Sequence, residues 1–537
     1  MLFRSLAEAL VWYKMAAATG LPAAQTRMGD VAYFGQLGQP RDDAAALAWY
    51  LAAVGQGHEG ARYMLGVRSE ERVGAGFPNT EAVALFRQSA NAGWRNAMHR
   101  LGDAYRDGTL GLTQDEAQAV GLYRRAAALG SVGAEFNLAF MIEHGRGTER
   151  DPEAAIVIYR EAAEHGSPNA LNRLGAIARN GELGRVRDDI EALRQFQLAA
   201  LAGFPEGQAN LASMLENGSG PDRDPGAALV LWRKAADQGL NFALNRLGNA
   251  AREGALGMPP DDAEAVRLYR RAADAGMADA RANLAFMLET GRGADRDPDA
   301  ALTLLRQAAD QGSAYARNRL GAALQNGGLG LPPDDREALH WYRLAAEQDY
   351  VDAAYNLGWM YLYGRGTDED AAQAEKWYGR AAALGNLRAE ATLGDIAWFG
   401  MAGRTQDRAE AVKHYHVAAE GGIASAQYML SLAYRLGQGV IADESQMFVW
   451  ARKAAEQGHG DALNSVGFSI LSGVNGSYDY VEAASWLILA VERITVEAER
   501  QRAQVNLANA MVQLDDTERA EAETRAATWR AKFPTKS

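Results

Sequence analysis

A glycine that follows a pair of small residues recurs along the chain at nearly constant spacing. Successive occurrences lie alternately 37 and 36 residues apart. They are Gly20, Gly57, Gly93, Gly130, Gly166, Gly203, Gly239, Gly276, Gly312, Asp349, Gly385, Gly422 and Gly458, with aspartate replacing glycine once. Two units make 73 residues, which is also the distance from "ALNRLG" at 170–175 to its identical copy at 243–248. This period predicts one array of stacked small repeats, where the length alone would suggest about three or four separate domains.

Each unit predicts two helices. The first, helix A, carries Ala-x-x-x-Leu-Gly, as at 97–102 and 170–175, which places the alanine and the leucine on one face. The second, helix B, carries an aromatic residue followed by small ones, as in "LYRRAAALG" at 122–130. We expect this aromatic column to fill the gap between helices A and B. Its members are Tyr13, Tyr50, Phe86, Tyr123, Tyr159, Phe196, Trp232, Tyr269, Tyr342, Tyr378 and Tyr415.

The chemistry at the boundaries agrees with this division. The recurrent glycine stands where a helix ends in a left-handed cap, so Gly20 and Gly57 are expected to close B helices. Asp-Pro pairs begin at Asp151, Asp224 and Asp297, and each supplies a side-chain acceptor followed by a proline that needs no hydrogen-bond partner. They predict the first residues of helix B.

Helix A with "AxxxLG", a glycine pair in "HGRG", "TGRG" or "YGRG", and then "A..WYRKAA.QG" together resemble the Sel1-like repeat, a relative of the tetratricopeptide repeat, from about residue 5 to 494. The resemblance implies an all-α, right-handed α-α superhelix, or solenoid, of antiparallel helix pairs. It also implies a bacterial scaffold or adaptor whose A helices line a concave surface that binds protein segments. We expect an N-terminal half repeat at 1–21, about thirteen repeats at 22–494, and capping helices with a tail at 495–537.

The 73-residue period marks a second, finer pattern on helix A. The residue before the leucine alternates between arginine and asparagine over most of the chain, and some units carry a further asparagine just before it. Asparagine can pair with a peptide bond and arginine with a carboxylate, so these positions are candidate peptide contacts. They are Arg100, Asn137, Asn172, Arg173, Asn210, Asn245, Arg246, Asn283, Asn318, Arg319 and Asn356. The alternative is hydrogen bonding between repeats.

A second column lies five residues after the leucine and alternates in charge. It runs Arg106, Glu143, Arg179, Glu216, Arg252 and Glu289. Because equivalent positions in stacked repeats are neighbours, we expect these arginines and glutamates to pair with one another and to set which unit stacks on which.

Composition excludes several classes of function. The net charge of −13, without a basic stripe, argues against nucleic acid as a partner. The absence of cysteine excludes disulfides and thiolate metal sites, and it argues against a cysteine-rich, β-lactam-binding branch of the family. We find no catalytic motif, so no catalytic, cofactor-binding or metal-binding residue is assigned. The chain has no apolar run of membrane-spanning length, so no membrane insertion is expected.

The chain shows no signal peptide, which predicts a cytoplasmic protein as the sequence is written, or a periplasmic or secreted one if a signal is missing. The leading hypothesis is a non-enzymatic scaffold that binds other proteins, and the alternative is an exported bacterial envelope or host-interaction factor of the same fold. The first B helix has no A partner, so we expect an upstream segment or another subunit to cover that edge.

Overall fold

The computed structural model describes residues 6–73, 80–220, 222–474, 476 and 478–532. These residues form 29 α-helices and one short 3-10 helix, Met401–Gly403, and none of them lies in a β-strand. The α-helices are α1 Leu6–Ala18, α2 Pro22–Phe34, α3 Asp43–Val54, α4 Glu59–Val73, α5 Thr80–Asn91, α6 Arg95–Asp107, α7 Glu116–Ala128, α8 Val132–His144, α9 Pro152–Glu164, α10 Pro168–Asn180, α11 Asp189–Leu201, α12 Pro205–Asn217, α13 Pro225–Asp237, α14 Asn241–Glu253, α15 Asp262–Asp274, α16 Ala278–Thr290, α17 Pro298–Asp310, α18 Ala314–Asn326, α19 Asp335–Ala346, α20 Val351–Leu362, α21 Ala371–Ala383, α22 Leu387–Phe399, α23 Arg408–Glu420, α24 Ala424–Leu436, α25 Glu444–Ala455, α26 Gly460–Leu471, α27 Tyr480–Arg493, α28 Glu497–Met511 and α29 Asp516–Lys532.

The chain divides into two compact units, Met1–Pro260 and Asp261–Ser537. In the first unit, α2 to α13 form six A–B pairs in which an even-numbered helix packs on the odd-numbered helix that follows. In the second unit, α16 to α27 form six more such pairs. The predicted all-α solenoid of helix pairs is confirmed. None of the described helices is both long enough and apolar enough to cross a bilayer.

Each A–B pair is built around the aromatic residue of helix B. Ten of the eleven predicted aromatic residues are at most 1% exposed, and Tyr13 is partly buried. In several repeats the aromatic ring lies against the glycine of the Leu-Gly motif. A β-carbon added to Gly102 would lie 2.6 Å from Cε1 of Tyr123, and one on Gly394 would lie 2.5 Å from the same atom of Tyr415. Glycine is therefore required at these positions because the ring occupies the space of a side chain.

The buried phenol groups also need hydrogen-bond partners. The hydroxyl of Tyr123 donates to Asp103 at 2.8 Å, and that of Tyr415 donates to Asp395 at 2.8 Å. Each acceptor is the residue directly after the glycine in the Leu-Gly-Asp motif. The motif thus supplies both the space for the ring and the acceptor for its hydroxyl.

The predicted helix ends are confirmed. Asp151, Asp224 and Asp297 accept hydrogen bonds from the backbone amides of Ala154, Ala227 and Ala300 at 2.9–3.0 Å. The recurrent glycines after the B helices all have positive φ, and Asp349, which replaces one of them, has φ 60°.

The alternation of 37 and 36 residues arises in the loop between helices A and B. The longer loops contain a turn with two consecutive residues of positive φ, as at Leu110 (57°) and Gly111 (72°), closed by a bond from the Leu112 amide to the Thr109 carbonyl at 3.0 Å. A leucine in this conformation is strained, and its packing against the core offsets the strain. The same turn recurs every 73 residues at Leu37, Leu110, Leu183, Leu256 and Leu329, and at Ala402.

The shorter loops contain Gly-x-Gly and press against the start of helix B in the preceding repeat. A β-carbon on Gly147 would lie 2.2 Å from the backbone of Glu116, and one on Gly293 would lie 2.1 Å from the Asp262 carbonyl oxygen. In "GRG" loops the arginine pairs with the acidic residue at the same place, as Arg146 does with Glu116 at 2.7 Å. In five of the longer loops the corresponding glycine has no atom within 4 Å of such a β-carbon, at Gly38, Gly184, Gly257, Gly330 and Gly403. The short loop therefore makes a close backbone contact with the preceding repeat, whereas long loops reach it through arginine side chains, as Arg404 does to Glu375 at 2.7 Å.

We expect Gly102→Ala to destabilise the protein by about 1 to 3 kcal/mol because its β-carbon would overlap the Tyr123 ring. Gly121→Ala is the matched control: Gly121 lies on the exposed face of the neighbouring helix α7, with nothing within 4 Å. It should stabilise helix α7 by about 0.5 to 1 kcal/mol. Urea unfolding followed by circular dichroism measures both changes. Equal effects of the two substitutions would contradict the importance of the ring contact.

Candidate functional site

Each of the four predicted arginines links its own A helix to the A helix of the preceding repeat. Arg100 pairs with Glu70, Arg173 with Glu143, Arg246 with Glu216, and Arg319 with Glu289. The first three also donate through Nε to the glutamate at 3.1 Å, so these contacts are bidentate. The arginine side chains are between 21 and 29% exposed. Each arginine therefore already holds a carboxylate of its own chain.

The asparagines form hydrogen bonds between neighbouring A helices that the arginines do not join. Nδ2 of Asn210 donates to Oδ1 of Asn172 at 2.8 Å, and Nδ2 of Asn356 donates to Oδ1 of Asn318 at 3.1 Å. Asn137 donates to Asp103 at 2.9 Å and lies 3.0 Å from Nε2 of His99. Asn245 and Asn283 are buried. Arginine–glutamate ion pairs and hydrogen bonds donated by asparagine side chains thus alternate from one junction between repeats to the next.

The expected pairing within the second column is wrong. Its glutamates Glu143 and Glu216 bond to Arg173 and Arg246 of the first column. Arg106 instead contacts Asp107 at 2.8 Å and Asp103 at 3.6 Å on its own helix, and Arg179 reaches the hydroxyl of Ser213. The helix pitch explains the difference, because residues six positions apart on a helix, such as Arg173 and Arg179, point in directions about 120° apart, and the first-column arginine is the one that faces the preceding A helix.

Glu143 is the most enclosed of the paired carboxylates, with 4% of its side chain exposed. Burial raises the pKa of this carboxyl, but the hydrogen bonds from Arg173 and Tyr159 outweigh it, so the pKa lies below the ordinary value of 4.5. Burial, together with the adjacent carboxylate, raises the pKa of Tyr159, whose hydroxyl donates to Glu143 at 2.8 Å. At neutral pH the group is a carboxylate held by two donors. Its evident role is to join repeats.

Within each compact unit the candidate residues therefore lie on the A helices. Nine of the eleven have the contacts with neighbouring repeats given above, and the other two, Asn245 and Asn283, are buried. That they also contact a partner peptide stays a prediction.

Sequence reasoning missed a column at the end of helix A, six residues after the leucine. This position is exposed in every repeat from α4 to α24. It is polar through eight successive repeats, as Glu71, Asp107, His144, Asn180, Asn217, Glu253, Thr290 and Asn326. It then becomes apolar in three, with Tyr363 48%, Phe399 55% and Leu436 50% exposed. We call these three residues the apolar row; aligning the repeats on their leucines would have revealed it.

The histidines of α23 serve separate contacts. Nδ1 of His414 lies 2.8 Å from Glu390, whereas His416 lies edge-on to the rings of Tyr434 and Trp450. Among the described residues no group of three or more His, Cys, Asp or Glu side chains could hold a metal ion.

We expect Arg173→Ala to destabilise the protein by about 2 to 3 kcal/mol at neutral pH, because it leaves the enclosed Glu143 carboxylate without its cation. Arg100→Ala is the matched control and should cost less than about 1 kcal/mol, since Glu70 is 25% exposed. The lowered pKa of Glu143 means that the pair stabilises the fold above pH 4.5 and loses this effect as the pH falls through the lowered value. The difference between wild type and Arg173→Ala, measured by urea unfolding, should therefore shrink on acidification. A constant difference down to pH 3 would contradict this account.

The sequence profile of the Sel1 repeat matches fourteen segments of the chain. They are residues 1–21, 22–58, 60–94, 95–131, 132–167, 168–204, 205–240, 241–277, 278–313, 314–350, 351–386, 388–423, 424–459 and 460–493. Among solved structures, the chain is similar to a protective antigen of uropathogenic Escherichia coli that displays an SLR fold. The two are 32% identical with a TM-score of 0.51, over 84% of this chain and 95% of that one.

Relatives with assigned roles include regulators of chitin synthase. Chitin synthase regulatory factor 3 of Schizosaccharomyces pombe is 29% identical over 59% of this chain and 31% of its own length. Chitin synthase regulator SKT5 of Saccharomyces cerevisiae is 26% identical over 58% of this chain and 40% of its own length. The chain thus spans less than half of these relatives. The repeats and the regulatory relatives favour a protein that works through protein partners, and the chain belongs to the Sel1 repeat family.

Proposed function

We propose that this protein is a non-enzymatic scaffold that binds segments of partner proteins along the face of its A helices. The observation that carries the proposal is the contrast between the two sides of each repeat. The contact between helices A and B repeats with little change, whereas the exposed end of helix A carries acidic, amide, hydroxyl, imidazole or apolar side chains in different repeats. A surface that varies on a constant framework suits the recognition of a particular partner.

The proposal agrees with the chemistry of the described residues. Carboxylates of the A helices are used in contacts between repeats, as Glu143 is with Arg173. His414 of the B helix α23 contacts Glu390 on the A helix of its own repeat. The relatives with assigned roles are regulators, which are not themselves catalysts by their names. We therefore expect no catalytic activity from this chain.

Photo-crosslinking tests whether partner proteins bind to the A helices or to the B helices. A photoreactive phenylalanine analogue replaces Asn217 at the exposed end of α12, or Val230 on the exposed face of the adjacent B helix α13. We expect native partners to crosslink from position 217 and not from position 230, as detected by mass spectrometry of the affinity-purified protein. Crosslinks confined to position 230 would place the partner on the B helices and overturn the proposal.

Two sets of substitutions distinguish a role of the arginines in partner binding from their role in the stability of the fold. We expect replacing Arg173, Arg246 and Arg319 with alanine to weaken an acidic partner, because the cations are lost. Replacing their partners Glu143, Glu216 and Glu289 with glutamine also breaks the ion pairs but leaves the cations in place. Partner affinity by calorimetry should fall only in the arginine variant. An equal loss in both would assign the arginines to the fold alone.

A second candidate is an exported envelope or host-interaction factor of the same fold. The observation in its favour is the similarity to the protective antigen of uropathogenic Escherichia coli, at 32% identity over most of both chains. Fractionation of the native host, with detection of the protein in the extracellular or periplasmic fraction, distinguishes this candidate from an intracellular scaffold.

A further inference from the structure

We propose that the apolar row, Tyr363, Phe399 and Leu436, holds a polyproline II segment of a partner protein that carries an apolar side chain at every third position. The inference rests on the proposed function, because it assumes that the A-helix face binds protein segments. It adds the place on that face and the chemistry of the segment.

The first support is a comparison within the chain. The position of the apolar row is exposed in every repeat from α4 to α24, and eight successive repeats fill it with polar residues. Core packing therefore does not require an apolar residue there. Three large apolar side chains, each about half exposed, stand at this position in three successive repeats, where polar ones would serve the fold equally well. Such a patch indicates a contact surface.

The second support is the spacing. Neighbouring A helices contact each other here, since the Arg388 guanidinium of α22 lies 4.9 Å from the Tyr355 ring of α20. Packed helices lie about 8 to 10 Å apart, so we expect a similar separation between equivalent residues of successive A helices. A polyproline II helix advances about 9.3 Å in three residues, so every third side chain meets a successive member of the row. In a β-strand the side chains on one face are about 6.8 Å apart, which is shorter than the separation expected between successive members of the row. Seven residues of a polyproline II segment thus span all three repeats.

The third support is an aromatic pair at one end of the row. The rings of Trp359 and Tyr363 lie 5.3 Å apart, and the guanidinium of Arg365 lies 5.9 Å from the Trp359 ring. Paired aromatic rings are the surfaces on which proline-rich segments dock in unrelated domains. An α-helix could also repeat a side chain about every 10.5 Å, but it is 10–12 Å wide and needs fifteen residues, whereas a single file of side chains offers it no groove.

The two ends of the row carry opposite charge. Asp368 and Glu369 follow Tyr363 in an exposed loop, and Glu369 is close enough that a β-carbon on Gly364 would lie 3.0 Å from its Cγ. Arg435 precedes Leu436 and is exposed. None of these three side chains forms a salt bridge with another residue in the described part of the chain. A complementary segment therefore carries a cation at the end near Tyr363 and a carboxylate at the end near Leu436.

The test uses the full chain and fluorescein-labelled peptides in an anisotropy titration. The peptide KPLPPLPPLPE places leucine at every third position between a lysine and a glutamate. Its isomer KPLPLPLPPPE has the same composition with leucine at every second position. A third probe is a fifteen-residue helix-forming peptide with leucine at every seventh position. We expect the first peptide to bind at least about tenfold more tightly than the other two.

Variants of the row supply the second measurement. Replacing Tyr363, Phe399 and Leu436 with asparagine, the residue that other repeats use there, should weaken the first peptide about tenfold or more without changing the circular dichroism spectrum. Phe34→Asn is the matched control, since Phe34 is 55% exposed at the equivalent position of α2, outside the row. Arg435→Glu should weaken the first peptide and should favour a version with lysine at both ends.

The outcomes separate this inference from the proposed function. Equal binding of the three peptides, tighter binding of the helical one, or an equal loss in Phe34→Asn would overturn the polyproline II assignment. If native partners nevertheless crosslink from position 217, the A-helix face remains the binding surface and only the chemistry assigned to the row fails. If they crosslink only from position 230, both proposals fail.

Discussion

The contact between a ring on helix B and a glycine on helix A is the interaction on which many of the repeats depend. It brings the two helices so close that no β-carbon fits between them, as Gly102 and Tyr123 show. It also explains why the aspartate after that glycine recurs, since a buried phenol without an acceptor would lose the free energy of a hydrogen bond. The ends of helix A that remain exposed are then free to differ.

Contacts between the A helices of neighbouring repeats differ in chemistry from the contacts within a repeat. The interior of each A–B pair is largely apolar, but the A helices of neighbouring repeats meet through polar side chains that need complementary partners. An arginine requires a carboxylate, and an asparagine can pair with another asparagine, as Arg173 does with Glu143 and Asn210 with Asn172. The short Gly-x-Gly loop adds a backbone contact on one side of each repeat only. Stability comes mainly from the apolar contacts, and the polar ones specify the order.

Much of the fold could be predicted from the sequence, because helix periodicity, aspartate caps and the aromatic column are local signals that recur in many copies. The position of the extra residue in the 37-residue units could not be predicted. It lies in a left-handed turn at a leucine such as Leu110, although non-glycine residues usually avoid positive φ, and the leucine packs against the core. The ion-pair partners were misassigned because charge alternation along the chain does not say which side chains face each other across a helix pair. The apolar row was overlooked because each member alone is an ordinary exposed residue, and only comparison across repeats reveals it.

The alternation of loops fixes the unit by which such a gene can change length. The repeats of α8 and α16 present Glu143 and Glu289 to the following A helix and dock their short loops, through Gly147 and Gly293, on the preceding repeat, so both neighbours of each are of the other type. Loss or gain of a single unit would place two repeats of the same type side by side and separate an arginine from its glutamate. Duplication or deletion of 73 residues preserves every junction. The identical "ALNRLG" stretches at 170–175 and 243–248 are then what an inherited copy of one such block would leave behind.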